Sequence, residues 1–234
     1  MTLASAPYIV LVRPQMGENI GATARAMKNF GLSELRLVSP RDGWPNDKAV
    51  ATASHAKDIV RHATIYSTLP DALADCHIAY GCSARRRDSD IEHITVAEAT
   101  MQTRRSQRQA AYVFGPENNG LSNDDVACCQ KLLTIPTGEY SSLNLAQSVI
   151  ICAYDWFSST RIASSDEKLT PVASLHDKHA LYKLLVKTLD TKGYFPPNGK
   201  ERMMRATLQG LVERAPISPS QIKRLRNIIY CLSK

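Results

Sequence analysis

Six short runs of consecutive apolar residues punctuate the first 136 positions of the chain: YIVLVR (8–13), LRLVS (35–39), ATIYS (63–67), HIAYGC (77–82), AAYVFG (110–115) and LLTIP (132–136). None alternates strictly between apolar and polar residues, as a strand with one wet face would. Continuous apolarity marks strands covered on both faces. Between these runs the period lengthens to that of a helix. GATARAMKNFG (21–31) is closed by Gly31 as a C-cap, LPDALADC (69–76) reads as a short helix, and SNDDVACCQ (122–130) opens on Ser122 with acids in its first turn. LNLAQSVIICAYDWFSS (143–159) is a strongly apolar helix. Alternation of this kind predicts an α/β domain with a parallel sheet and helices on both faces.

The pattern changes after SSDEKLTP (164–171), which reads as a linker. Only helical periodicity follows, at 175–193, 200–214 and 218–232, the last with Ser218 as N-cap and Pro219 in the first helical position. The expected organisation is therefore an α/β domain at 1–163, a linker at 164–171 and a small helical extension at 172–234. No internal repeat or low-complexity segment interrupts it.

Composition and charge sharpen this division. Of the 234 residues, 44% are hydrophobic, enough for a packed core. The net charge of +7 is concentrated: residues 1–160 carry 15 Lys and Arg against 16 Asp and Glu, whereas 161–234 carry 14 against 6. A basic extension on a near-neutral domain points to a polyanionic partner such as RNA. The six cysteines lack metal-binding spacing, and His176 and His179 lack acidic or thiol company, so no metal site is expected. No apolar stretch approaches the roughly 20 residues needed to cross a bilayer, and the N-terminus lacks the pattern of a signal peptide. The expectation is a cytoplasmic protein with no membrane attachment and reduced thiols.

Candidate chemistry lies in three segments, each just beyond a strand, where α/β proteins place their sites. In ENIGATARAMKNFG (18–31), Asn19 stands near a helix N-terminus and Arg25 one to two turns inside, able to grip a phosphate. No GxxxxGK[ST] or GxGxxG accompanies it, which disfavours nucleotide binding of the usual kinds. In YVFGPENNGLSNDD (112–125), Gly115 permits close approach to the backbone, Pro116 stiffens the turn, and Glu117 sits at the end of a buried strand. In IPTGEYSSLNLAQSV (135–149), Ser141, Ser142 and Asn144 precede the most apolar helix, either as caps or as donors to a ligand. A basic cluster, SARRRD (83–88), follows the fourth strand.

In this order and spacing the three segments resemble the motifs of the TrmH/SpoU-type RNA ribose methyltransferases of the SPOUT superfamily. CSAR (82–85), EYSSLNLA and the helical extension look most like its TrmJ branch. The resemblance implies a C-terminal trefoil knot in the α/β domain, a homodimer with the site at the subunit interface, and S-adenosylmethionine as cofactor. Carried over by motif, the cofactor would be held by Cys82, Ser83, Ala84, Gly115, Ile135, Ser141, Ser142 and Leu143. Cys82 stands where the family often has threonine. The catalytic set would be Arg25, Asn19, Glu117, Ser142 and Asn144, acting on a ribose 2′-hydroxyl of tRNA, with cytidine or uridine 32 of the anticodon loop as the expected target. A guanidinium is a poor base near neutral pH. Arg25 is therefore expected to clamp a phosphate beside the ribose, and Glu117 to anchor Arg25 or a neighbouring backbone. The alternatives are another tRNA position, ribosomal RNA, or an RNA-binding module without catalysis.

Overall fold

The computed structural model of the chain describes residues 5–84, 91–159, 171–195 and 200–233. All six predicted strands form, at Tyr8–Val12 (β1), Leu35–Val38 (β2), Thr64–Tyr66 (β3), Ile78–Cys82 (β4), Ala110–Phe114 (β6) and Lys131–Thr134 (β7). Another short strand, His93–Thr95 (β5), escapes the apolar-run reading because Ile94 is buried between two exposed neighbours. The strands lie in the order β3-β2-β1-β6-β4-β7-β5, and every adjacent pair is parallel.

The expected helices form as Gly17–Asn29 (α1), Leu69–Ala72 (α4), Asn123–Ala127 (α6) and Leu145–Ser158 (α7). Three more were not anticipated: Asp47–Thr52 (α2), Lys57–Arg61 (α3) and Val96–Ser106 (α5). α5 buries Val96, Ala99, Thr100 and Thr103, a helical stripe written mostly in small and hydroxylated residues. Its start was nonetheless encoded by a capping box between Thr95 and Glu98. At the end of α1, Gly31 has φ +72° and Leu32 N–H donates to Met27 O at 2.9 Å, the six-to-one closure that a glycine C-cap allows.

Alternate residues of the central strands feed two cores. Ile9, Leu11, Leu37, Tyr112 and Leu133 pack with α1, α2, α3, α5 and α7 on one face. Val10, Val12, Val38, Val113 and Leu132 pack with α4 and α6 on the other. This two-sided cover is why the central strands carry no polar face.

Helices Leu175–Thr191 (α8), Glu201–Arg214 (α9) and Pro219–Leu232 (α10) complete the described chain. They share a small core of Ala173, Leu181, Ile222 and Ile229. They are also tied to the sheet: Leu175 is buried in the second core, its N–H donates to Cys76 O at 2.9 Å, and Gln130 Nε2 donates to Glu213 O at 3.2 Å. Residues 164–170 of the expected linker, and Arg85–Asp88 of the basic cluster, lie outside the described residues. All six cysteines are free thiols. No described helix is long and apolar enough to cross a membrane.

Candidate active site

Strand order decides where the site lies. β6, β4 and β7 are neighbours in the sheet although α5 and α6 separate them in sequence, so their C-terminal ends open side by side. A cavity of about 290 Å³ lies there. Cys82, Ser83 and Ala84 bound it beyond β4, Gly115 and Glu117 beyond β6, and Ile135, Ser141, Ser142 and Leu143 beyond β7. All eight residues expected around the cofactor therefore line one cavity, together with Glu117. Asn19, Arg25 and Asn144 do not line it.

The loop after β6 folds back on itself. Gly120, with φ +64°, turns the chain, and its N–H donates to Pro116 O at 2.8 Å. A Cβ at Gly115 would stand 2.2 Å from Leu121 N and 2.3 Å from Gly120 C. The glycine, which lines the cavity, is thus also required by the loop's own return. Asp125 holds the far end. It accepts from Ser122 N–H at 2.8 Å and Ser122 Oγ at 2.7 Å, and pairs with Arg13 just beyond β1.

Glu117 anchors backbone and amide rather than Arg25. Its Oε2 accepts from Gln15 N–H at 2.8 Å and its Oε1 from Asn19 Nδ2 at 2.6 Å. Asn19 Oδ1 in turn accepts from Asn144 Nδ2 at 3.1 Å, and Asn144 Oδ1 caps α7 by accepting from Ala146 N–H at 2.8 Å. One relay of hydrogen bonds thus joins the loops after β1, β6 and β7. The arginine it reaches is Arg41, which donates to Gln15 Oε1 at 3.0 Å. Sequence reasoning missed Gln15 and Arg41, since a backbone N–H leaves no signature in composition. Arg25 is exposed on α1 and makes no hydrogen bond or ion pair among the described residues.

Asn144 is the cap of α7, with Gln147 completing a capping box. Ser141 and Ser142, which a capping role would have explained, are exposed and make no hydrogen bond among the described residues. Both line the cavity. Burial pushes the Cys82 thiol up to about 12, which disfavours the thiolate. Asn118, Asn119 and Leu121, given no role by the sequence, also line the cavity.

Residues 6–154 match the sequence model of the SpoU rRNA Methylase family. The chain belongs to this family. Its SpoU relatives extend over the helical tail as well. A tRNA (cytidine/uridine-2′-O-)-methyltransferase TrmJ of Pectobacterium atrosepticum is 35% identical, covering 97% of this chain and 96% of its own length. A tRNA (cytidine/uridine/adenosine-2′-O-)-methyltransferase TrmJ of Pseudomonas aeruginosa is 34% identical, covering 94% and 91%. The crystal structure of TrmJ from Z. mobilis ZM4 superposes with a TM-score of 0.91 at 38% identity, covering 98% of this chain and all of that one. The chain is accordingly a methyltransferase.

Proposed function

We propose that this chain methylates the ribose 2′-hydroxyl of nucleotide 32 in the tRNA anticodon loop, with S-adenosylmethionine as methyl donor. The observation that carries the reading is the convergence of three strand ends on one cavity, where two serine hydroxyls have no protein partner among the described residues. The names of the 34–35% identical relatives support tRNA and the 2′-oxygen.

The residues present suit this cofactor. Leu121, Ile135 and Leu143 form an apolar wall for a purine, and Ser141 and Ser142 offer hydroxyls to ribose or amino-acid groups. When bound, S-adenosylmethionine supplies an electrophilic methyl group. The chain's own residues position the substrate. The Glu117–Asn19–Asn144 relay holds the three loops in register, and Arg25, exposed and unpaired among the described residues, clamps the phosphate next to the target ribose.

The homodimer belongs to the same proposal. α7 exposes Ile150, Ile151, Tyr154 and Phe157, and the last two pack against Phe30 at the end of α1. A second copy seated there covers this apolar face and brings Arg25 toward the partner's cavity. The segment from β7 through α7 is then the threaded part of the trefoil knot. The extension at 172–234 acts as an RNA-binding element, with Lys223, Arg224 and Arg226 exposed on α10. The protein works in the cytoplasm, where its substrate is.

The test is methyl transfer to tRNA transcripts carrying cytidine, uridine or adenosine at position 32, followed by mapping of the 2′-O-methyl group. Arg25→Ala is expected to abolish transfer and leave cofactor affinity unchanged. A folded Arg25→Ala enzyme with undiminished activity removes Arg25 from the mechanism. Deleting the tail is not a clean test of tRNA binding, because Leu175 fills the sheet core. Reversing Lys223, Arg224 and Arg226 together is. It should weaken tRNA binding and flatten the log K against log salt slope by about one unit for each phosphate that the tail no longer neutralises.

A further inference from the structure

A second cavity, of about 500 Å³, opens at the N-terminal ends of β4 and β7, and shares no described lining residue with the first. Ile78 lines this one and Cys82 the other. They are four residues apart on β4, about 13 Å at the rise of a strand. The helical tail closes the cavity. Lys178 of α8 and Arg214, the last residue of α9, line it together with Lys131 of β7 and Arg108. The one carboxylate among its described lining residues, Glu92, is already paired with Lys131 at 2.9 Å. Lys178 and Arg214 have no carboxylate bridged to them among the described residues.

Lys178 is the decisive residue. It is 2% exposed, and among the described residues its Nζ donates only to Glu213 O, at 3.1 Å. An ammonium has three donors, and no carboxylate pairs with it among the described residues. Nor does Glu213 O need it, since Gln130 Nε2 donates to the same oxygen at 3.2 Å. The Glu213 carboxylate is engaged elsewhere, by His179 Nδ1 at 2.8 Å and Gln209 Nε2 at 2.9 Å. Beside Lys178, His77 Nδ1 is buried with no hydrogen-bond partner among the described residues. A buried ammonium with donors unused is costly unless something in the cavity accepts from them.

We propose that this cavity is a binding site for a phosphomonoester carried on a ring, that is, for a mononucleotide or a phosphorylated RNA end. A phosphomonoester presents three acceptor oxygens in different directions, which suits an ammonium and a guanidinium arriving from separate helices. Ile78, Val172 and Pro216 supply an apolar surface for the ring, and the volume lies within the range of small-molecule clefts. Desolvation pushes the Lys178 ammonium down to about 8, against the opposing pull of the Glu213 carboxylate, and a bound anion would favour the charged form further. Methyl transfer as proposed above uses none of these residues.

The experiment is calorimetric titration of the full-length protein, saturated with S-adenosylhomocysteine to block the first cavity. The probes are cytidine 5′-monophosphate, cytidine, and a 5′-phosphorylated trinucleotide. Cytidine 5′-monophosphate is expected to bind and cytidine not. Lys178→Met and, separately, Arg214→Gln should each weaken that binding about tenfold or more, while S-adenosylhomocysteine affinity reports that each variant is folded. Comparable binding of the trinucleotide assigns the site to an RNA end, and its exclusion assigns it to a free nucleotide. Cytidine 5′-monophosphate binding no tighter than cytidine, or binding unchanged in both variants, overturns the proposal.

Discussion

Replacing Glu117 by glutamine preserves shape but turns one acceptor into a donor, and the relay passes that change from one side chain to the next. Both carboxylate oxygens accept, from Gln15 N–H at 2.8 Å and Asn19 Nδ2 at 2.6 Å. Glutamine must point its amino group at one of these donors. Facing Gln15, it forfeits a charge-assisted bond outright, about 1.5–3 kcal/mol. Facing Asn19, it can be accepted if the Asn19 amide rotates, but Asn19 Nδ2 then meets Asn144 Nδ2. Asn144 can rotate in turn only by withdrawing Oδ1 from Ala146 N–H, its bond to the start of α7. Loss of an N-cap costs about 1 kcal/mol, so the cascade is the cheaper route. The expected destabilisation is about 1–2 kcal/mol, a fall in Tm of about 3–6 °C for a chain of this size. The assay is urea and thermal unfolding of the wild type, Glu117→Gln, Asn19→Ala and the double variant. With Asn19 truncated the relay is cut, and the glutamine amino group points into the space vacated. Glu117→Gln should then cost less than about 0.5 kcal/mol. Additive costs in the cycle would refute a shared orientation of the three side chains.

Three further outcomes are expected from the same structure. Gly115→Ala drives a methyl group into the Gly120–Leu121 backbone, so stability should fall by about 2–3 kcal/mol or more in urea unfolding, and donor binding should fall with it. Ser142→Ala removes a hydroxyl with no protein partner among the described residues, so Tm should stay within about 1 °C while S-adenosylmethionine affinity drops about three- to tenfold by calorimetry. Asp75 is held below the usual carboxylate range chiefly by its hydrogen bonds from Arg36, at 2.6 and 2.8 Å. A depressed folded-state value means this contribution is present above the unfolded pKa of about 4 and is lost as pH falls through the folded value. The stability gap between wild type and Asp75→Asn should therefore be flat near neutrality and close as pH drops below about 4, measured by unfolding across pH.

Much of this protein was legible from local pattern. Continuous apolar runs located β1 to β4, β6 and β7 and showed that both sheet faces are covered, because a strand buried on both sides can spare no polar position. Local capping chemistry marked the starts of α6 and α10. Where burial is carried by small or hydroxylated residues, as in α5, or by a single residue, as in β5, apolarity is too faint and the elements went unread. The cavity's lining was found through the motif resemblance, and without it three short polar segments far apart in sequence had no reason to meet. Tertiary structure alone decided that meeting, through a strand order that sets β6 beside β4 and β4 beside β7. It also decided what each polar residue does. Whether Glu117 holds an arginine or an amide depends on which atoms face one another across loops about a hundred residues apart in the chain, and why position 115 must be glycine depends on how its own loop returns. Side-chain identity sets what a residue can donate or accept. Only the packed fold settles which partner it has.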